Sequence, residues 1–339
     1  MSGAEAVRDS EGPVDEFDWI DQCLRPLAAD APEALGLMDD AAVLPSRPGF
    51  DLVITKDAIV EGVHFLADDP PDLVARKLLR TNLSDLAAKG AEPYGYLLAI
   101  AWPASGGWAR RRAFAEGLRQ DQAAFGLRLF GGDTVSTAGP LAASATLLGW
   151  VPAGGMIRRG GARVGDIVLV SGTVGDGGLG LRAARGELSA LSGPDRDWLA
   201  DRYRLPRPRL GLREALRAHA NAAADVSDGL IADAGHIAAA SGVSLSLDLD
   251  RLPLSNAARA WLAGESDLLA ACLQLASAGD DYELVLTAPP AEVGALQAAG
   301  ETAGIPLTAI GDVRAGAGVT VWSEGRAVPV PRAGWRHGA

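Results

Sequence analysis

Short apolar runs rich in branched residues alternate, along the first half of the chain, with segments that show the apolar spacing of a helix. The runs cover 51–57, 94–102 and 141–151, and the helical segments cover 71–89 and 107–125. Strands that alternate with helices are typical of α/β folds, in which the helices pack on the sheet. The pattern therefore predicts an α/β domain over residues 15–151, with a short helix over 17–27 at its start.

A segment rich in proline, glycine and arginine, residues 152–166, interrupts this alternation. A new strand pattern begins at Asp166, and a further set of helices and strands follows it. We predict helices near 208–220, 229–241 and 290–303, strands near 243–249, 283–287 and 306–311, and a closing hairpin over 319–330. Because such segments mark domain boundaries and 339 residues suit two cores, we predict a second α/β domain over 152–339.

The composition is that of a soluble, folded protein, with 48% hydrophobic and 22% charged residues. A net charge of -12 disfavours the phosphate contacts that nucleic-acid binding needs and offers no basic patch to an anionic membrane. No apolar run approaches the ~20 residues that span a bilayer. Residues 1–14 are polar and acidic, which predicts a disordered tail rather than a signal peptide. With only two cysteines, Cys23 and Cys272, the chain is predicted to be cytoplasmic, with neither nucleic acid nor membrane as a partner.

Acidic residues recur where a predicted strand stops or a predicted helix starts. They are Asp39, Asp40, Asp57, Asp85, Asp133, Asp225 and Asp228. If these carboxylates converge, bound cations are needed to offset their mutual repulsion. Oxygen ligands of this kind select hard ions such as magnesium over zinc, and magnesium held by carboxylates commonly accompanies a polyphosphate substrate. The four histidines show no HExxH spacing, which also argues against a zinc enzyme.

The predicted helix over 71–89 carries the sharpest local signal. Asn82 and Asp85 fall on the side of this helix that its leucines define as apolar. A charge in that position needs an arginine, a proton or a metal, because burying it unpaired costs several kcal/mol. The alternative to a metal site is that Asp85 caps a neighbouring element or pairs with a basic side chain such as Arg80.

Three other acidic motifs also have structural alternatives. Asp39 and Asp40 precede a small apolar run, up to residue 44, that we interpret as a strand about to be buried. In "RLFGGDTV" a strand runs into two glycines and Asp133, which suits either the close approach of a ligand or an ordinary turn. In "DVSDGL", Ser227 or Asp228 is predicted to be a helix N-cap, which does not explain Asp225.

Phosphate-binding motifs narrow the choice of mechanism. The chain has no GxxxxGK[ST] loop, which excludes a P-loop enzyme. The segment "GDGGLG", 175–180, fits GxGxxG, but no second strand ending in an acid follows it to hold a ribose. We therefore interpret this segment as a glycine-rich bend before a helix.

Several motifs, read in order, establish a resemblance. They are "DDAAVL", "DAIVEGVHF", "NLSDLAAKGAEP", "GGDT", "RRGGARVGD", "DVSDGL" and "GDDYEL". From about residue 34 to residue 337 the chain resembles the thiamine-monophosphate kinases. These enzymes are a branch of the ATP-binding family that includes aminoimidazole ribonucleotide synthetase, selenophosphate synthetase and a hydrogenase maturation factor.

This resemblance implies two domains of an aminoimidazole-ribonucleotide-synthetase-like fold, α/β of the α+β type, and a homodimer in which the N-terminal domains pair into a barrel. It implies ATP and several Mg²⁺ ions, and direct transfer of the γ-phosphoryl group to thiamine monophosphate, giving thiamine diphosphate. The positions that match metal ligands are Asp40, Thr55, Asp57, Asp85, Asp133, Asp225 and Asp228, of which Asp85, Asp133 and Asp228 are expected to be catalytic. Those that match nucleotide contacts are Gly132, Asp133, Arg159 and Ser227, and those that match contacts to thiamine phosphate are His64, Asp280 and Trp335.

Two positions depart from the family pattern, with Met38 where glycine is usual and Lys56 where a small hydroxyl residue is usual. Lys56 either reaches a phosphate in place of a cation or points outward as a solvated charge. Our hypothesis is that Lys56 lowers the magnesium requirement, and Asp39 is a further candidate ligand. The alternatives left open are a sister enzyme with another small phosphorylated or carboxylate acceptor, and a catalytically silent ATP-binding homologue.

Overall fold

The structure is a computed structural model that describes residues 14–335. The chain divides into two compact units. Among the described residues, the first contains 14–47, 54–82 and 93–148, and the second contains 48–53, 83–92 and 149–335. The predicted tail over 1–14 lies almost wholly outside the described residues.

The first part of the chain forms a four-stranded sheet in the order β1-β4-β2-β3. The strands are β1 (Phe50–Val60), β2 (Glu92–Pro103), β3 (Leu129–Thr137) and β4 (Ala142–Pro152). The helices are α1 (Glu16–Trp19), which continues through a π turn at Ile20–Leu24 and a 3₁₀ turn at Arg25–Ala28, α2 (Pro71–Ala88) and α3 (Trp108–Phe125). The strands predicted at 51–57, 94–102 and 141–151 and the helices predicted at 71–89 and 107–125 are therefore present.

The core of the first unit lies under one face of β2. Alternate residues of that strand, from Tyr96 to Trp102, are buried, as strand geometry requires. The Trp102 ring meets Trp19 and Phe114 edge to face, with ring centroids 5.6 and 5.5 Å apart. These contacts attach α1 and α3 to the sheet and explain why an acidic, otherwise polar N-terminal helix is ordered.

The second unit contains a seven-stranded sheet in the order β11-β10-β7-β9-β5-β8-β6. Its strands are β5 (Ile167–Ser171), β6 (Ala222–Val226), β7 (Ser244–Asp248), β8 (Glu283–Ala288), β9 (Leu307–Arg314), β10 (Gly318–Ser323) and β11 (Arg326–Val328). Its helices are α4 (Asp176–Ala184), α5 (Gly193–Arg204), α6 (Arg213–His219), α7 (Leu230–Ser241), α8 (Asn256–Leu262), α9 (Leu268–Ala276) and α10 (Val293–Ala303). Neighbouring strands are antiparallel except β7 and β10.

Both faces of this sheet are covered. Val168 and Val170 of β5 join the core that includes Ile237 of α7, whereas Leu169 joins the core that includes Leu216 of α6. A strand buried on both faces is nearly all apolar, which is why "DIVLVSG" is a continuous apolar run rather than an alternating one.

The predicted hairpin over 319–330 is confirmed by the antiparallel pairing of β10 and β11, with positive φ at both turn residues, Glu324 and Gly325. The interpretation of 175–180 as a bend before a helix holds only at Gly175, whose φ is 89°, because α4 begins at Asp176 and includes residues 176–180. Helices α5, α8 and α9 lie outside the predicted set.

Two predictions at strand ends are wrong. The run up to residue 44 is not a strand, and Val43, 62% exposed, makes a single backbone hydrogen bond, to the Glu33 carbonyl oxygen at 2.9 Å. Strands β1 and β3 do not stop at Asp57 and Asp133 but continue through them. Among residues 14–335, no helix is both long and apolar enough to cross a membrane.

Candidate active site

The loop between β6 and α7 carries three of the predicted site residues. Asp225 is buried near the end of β6, and Ser227 and Asp228 follow it, partly exposed. The N-cap of α7 is Gly229, not Ser227 or Asp228 as predicted. The capping role is taken by a carboxylate inside the helix. A single oxygen of Asp233 accepts hydrogen bonds from the backbone N–H groups of Ser227, Asp228 and Gly229, at 3.0, 3.1 and 3.2 Å. Capping therefore does not account for the Asp228 side chain.

Asp233 is a site residue that the motifs did not single out. Its side chain is buried, and burial together with the nearby charge of Asp228 raises the pKa of its carboxyl to about 7, against the opposing effect of the backbone N–H groups and Arg159. The ligand atoms of Asp228, Asp233 and His236 all lie within 4.8 Å of one another. The available signal in the sequence was an acid in the first turn of a helix, a position that the helix dipole favours.

Backbone hydrogen bonds bring two further segments to this loop. The Asp280 N–H donates to the Ser227 carbonyl and the Trp335 N–H donates to the Asp228 carbonyl, both at 2.9 Å. Asp280 has a φ of 68°, in the left-handed region that few non-glycine residues adopt. The Trp335 ring is half exposed, with the Arg332 guanidinium 5.5 Å from its centroid. Two residues predicted to contact the thiamine phosphate thus lie directly beside two predicted to contact metal and nucleotide.

A lysine joins the remaining carboxylates of the second unit. The Nζ of Lys89, just beyond the end of α2, donates to the Ala223 carbonyl of β6 at 2.9 Å. Burial, and then the charge of Arg159, lower the pKa of Lys89, whereas Asp225 and Asp85 raise it. Asp85, Arg159 and Asp225 therefore all lie near this ammonium group. Arg80, offered above as a partner for Asp85, donates to both carboxylate oxygens of Asp121, at 2.6 and 2.9 Å.

In the first unit, Asn82 explains why polar residues occur on the apolar side of α2. Its side chain is fully buried, accepts the Asp57 N–H at 3.0 Å and donates to the Leu78 carbonyl at 2.9 Å. Thr55 and Asp57 are half-buried on one face of β1, and Lys56 is exposed on the other. The role of Lys56 toward phosphate or magnesium stays a prediction.

Packing between neighbouring strands explains a glycine before Asp133. Gly132 pairs with Leu98 of β2, and a Cβ on Gly132 would overlap the Leu98 carbonyl oxygen. The register between β2 and β3 shifts between Tyr96 and Leu97, where Phe130 is the extra residue, so the two glycines lie in the strand directly after a bulge rather than in a turn. Asp133 itself is exposed.

The other predicted residues of the first unit lie apart from one another on the chain. Asp39 and Asp40 are both exposed, which is enough to make their adjacency tolerable, and the Asp40 N–H donates to the Asp39 carboxylate at 2.7 Å. His64 follows β1, and its Nδ1 accepts the Val60 N–H at 3.1 Å. Their roles toward metal and substrate stay predictions.

The loop that carries Asp280 is fixed to α4 by its neighbour Asp281. The two carboxylate oxygens of Asp281 accept the N–H groups of Gly175 and Gly177, at 2.7 and 2.8 Å. Gly177 has no room for a Cβ, which would overlap the Asp280 carbonyl. Complete burial, and then the nearby charge of Asp176, raise the pKa of Asp281 well above its usual value.

We expect the Asp281→Asn variant to show a stability defect that depends on pH. Because the folded-state pKa of Asp281 is raised, its contribution to stability is complete below the unfolded pKa of about 4 and is lost as the pH rises through the folded value. The deficit in unfolding free energy of Asp281→Asn relative to the parent should therefore be larger at pH 5 than at pH 8. Urea unfolding at both pH values measures it. The exposed Asp197→Asn is the control, and a deficit that grows with pH would contradict this account.

Comparisons with known proteins decide the family. Residues 38–151 match AIR synthase related protein, N-terminal domain, and residues 163–324 match its C-terminal domain. The thiamine-monophosphate kinase of Caulobacter vibrioides is 54% identical over 334 residues, 98% of this chain and 94% of that protein. The chain belongs to the thiamine-monophosphate kinase branch of the AIR synthase related family. The resemblance inferred from the motifs is thereby confirmed.

Solved structures of thiamine-monophosphate kinases agree with this fold. The enzyme from Stenotrophomonas maltophilia has a TM-score of 0.81 at 39% identity, covering 95% of this chain and all of that one. AaThiL complexed with AMPPCP and TMP has a TM-score of 0.75 at 30% identity, covering 95% of this chain and 96% of that one. The predicted two-domain fold of the AIR synthase related family is confirmed.

Proposed function

We propose that the protein transfers the γ-phosphoryl group of ATP to the phosphate of thiamine monophosphate and releases thiamine diphosphate and ADP. The observation that carries this proposal is the pair of backbone hydrogen bonds from Asp280 and Trp335 to the Ser227 and Asp228 carbonyls. They link two residues that we predict to contact the acceptor to two that we predict to contact nucleotide and metal, all within one unit. The relatives named above support the same reaction.

The side chains of the second unit suit a site for magnesium. Asp85, Asp225 and Asp228 supply the oxygen ligands that Mg²⁺ prefers, and the short distances among Asp228, Asp233 and His236 agree with a cation site. When bound, Mg²⁺ would offset the repulsion between the two anionic phosphates and help to align them. In the first unit, Asp40, Thr55, Asp57 and Asp133 are the further proposed ligands, with Gly132 beside the nucleotide.

Side chains of the protein are proposed to bind the nucleotide and the acceptor. The exposed Arg159 guanidinium provides donors for nucleotide phosphates, and the Ser227 hydroxyl provides another. The Trp335 ring offers a face on which a cationic thiazolium stacks. Asp280 and His64 are the other proposed contacts to thiamine monophosphate. Transfer is direct and in line, so the residues act by positioning and by electrostatics, without a covalent enzyme intermediate.

We also propose a homodimer formed through the four-stranded sheet. Its strands expose apolar side chains that a monomer would leave in water, Ile54 at 61%, Leu97 at 40% and Val135 at 50%. A second copy of the sheet would cover them, and sedimentation of the purified protein tests this part of the proposal.

The two free cysteines, Cys23 and Cys272, agree with a reducing compartment, and we propose a cytoplasmic location.

Chromatography of thiamine phosphates tests the reaction. The purified protein is incubated with Mg²⁺, ATP and thiamine monophosphate, and we expect thiamine diphosphate to form. We expect it to vanish in Asp85→Asn and upon chelation of Mg²⁺, and to persist in the exposed control Asp197→Asn. ATP binding without any product would overturn the proposal in favour of a sister acceptor or a silent homologue.

A further inference from the structure

The Lys89 side chain carries a positive charge into the group of carboxylates described above. Its Nζ donates a hydrogen bond to the Ala223 carbonyl oxygen at 2.9 Å, and an ammonium group carries three donors in all. The lysine is partly buried, and the two acidic residues that act on it are Asp85 and Asp225. Both are proposed metal ligands, so this inference rests on the proposed function.

Local geometry explains why Lys89 is close to both of these residues. Asp85 precedes Lys89 by four residues, one turn of helix, and the Lys89 N–H donates to the Asp85 carbonyl at 3.0 Å. Ala223 precedes Asp225 by two residues on β6, so their side chains and their backbone groups point in the same directions. Asp85 therefore lies one helical turn before Lys89, and Asp225 lies two residues beyond the carbonyl that the ammonium binds.

The strand edge adds a second anchor. β6 is the last strand of its sheet, and the Ala223 N–H donates to the Arg158 carbonyl at 3.0 Å. The Ala223 carbonyl thus accepts a hydrogen bond from Lys89, and the Ala223 N–H donates one to Arg158, so both backbone groups at that edge have a partner. Because the ammonium is held by a backbone carbonyl, it is a fixed cation rather than a mobile surface charge.

The buried Asp225 carboxylate and the partly buried Asp85 carboxylate repel each other, and the repulsion grows as solvent is excluded. A fixed cation close to both offsets that cost in the absence of any metal. The same cation repels a divalent ion that approaches those carboxylates. A neutral residue at position 89 would reverse both effects.

We propose that Lys89 is a positioning residue that acts as a built-in counter-ion for Asp85 and Asp225. It keeps the two carboxylates in place before magnesium enters, and it raises the Mg²⁺ concentration at which the site fills. It does not itself contact the reacting atoms.

Magnesium binding to the full-length protein, without nucleotide or thiamine monophosphate, tests this role. Lys89→Gln keeps a donor for the Ala223 carbonyl and removes the charge, and Lys89→Arg keeps the charge. The melting temperature is measured as Mg²⁺ is titrated from zero, after treatment with a chelator. We expect Lys89→Gln to melt at a lower temperature than the parent without Mg²⁺, and its half-saturating Mg²⁺ concentration to fall about five- to tenfold. Lys89→Arg should retain the parental response.

Lys77→Met is the matched control, because the Lys77 side chain is buried and its Nζ also donates to a backbone carbonyl, that of His64, at 2.9 Å. We expect it to destabilise the protein without changing the Mg²⁺ half-saturation. If Lys89→Gln and the parent have the same half-saturation, the proposal is overturned. If Lys89→Gln does not fold, Lys89→Met measured in the same titration decides between the two outcomes. The titration does not depend on turnover, so failure of the kinase proposal would be seen separately, in the chromatographic assay.

Discussion

We expect the Asp228→Asn variant to lose kinase activity and to keep a melting temperature equal to or higher than that of the parent. The backbone on both sides of this residue is held independently of its side chain, by the Asp233 carboxylate at the N–H and by the Trp335 N–H at the carbonyl. Asparagine is nearly isosteric, so the loop should keep its shape. The substitution removes one anionic ligand from a site that must hold cations against two phosphates. We expect kcat/KM to fall about 10²- to 10³-fold.

Stability should change in the opposite direction. The charge of Asp228 contributes to the raised pKa of the buried Asp233 carboxyl, so Asp228 disfavours the ionised form of its neighbour. Its removal relieves that repulsion, and the melting temperature should be equal to or higher than that of the parent. Loss of activity together with unchanged or raised stability is the signature of a functional charge. The exposed Asp197→Asn is the control, and it should keep the parental activity. Full activity in Asp228→Asn would exclude Asp228 from the metal site.

The second large effect concerns stability, at Glu283. This fully buried carboxylate accepts hydrogen bonds from the Ser171 hydroxyl at 2.6 Å, from Arg202 at 3.0 Å and from Arg209. Arg202 is also buried and donates to the Asp281 carbonyl at 3.1 Å. Arg202→Leu would leave part of a buried charge without compensation. We expect a loss of about 3–5 kcal/mol in unfolding free energy, measured by urea denaturation.

The chain offers a matched comparison for this variant. Arg207, close by in sequence, pairs with Asp201 at 3.1 Å, and both side chains are nearly half exposed. Arg207→Leu should cost less than about 1 kcal/mol, because water screens such a pair. Equal losses in the two variants would show that burial does not determine the strength of the Arg202 interaction.

Helix–strand alternation predicted most of the elements because each strand or helix buries a face whose period can be read directly. The run up to residue 44 has the apolar residues of a strand but does not form one, because no neighbouring strand among the described residues pairs with it. The pattern predicts strand ends at Asp57 and Asp133 because an acid inside a strand is unusual. Their strands continue through them, since Asp57 is half-buried beside Asn82 and Asp133 is exposed.

Some residues of the candidate site can be predicted from local motifs, and others cannot. Asp225, Ser227 and Asp228 stand in one motif, so their proximity could be read from the chain. Asp233 and Lys89 could not be assigned in this way. Their roles depend on the Ser227–Gly229 backbone and the Ala223 carbonyl, respectively, and the Ala223 contact joins residues far apart in sequence.

The sequence by itself determined the family, the two α/β halves and the residue types of the site, because motifs and hydrophobic periods are local. Only the tertiary structure decided which backbone groups hold the loop between β6 and α7, which buried carboxylates pair with arginine and which charges remain in water. Those outcomes depend on hydrogen bonds and burial between segments that are distant in sequence, and local patterns carry no record of which segments meet.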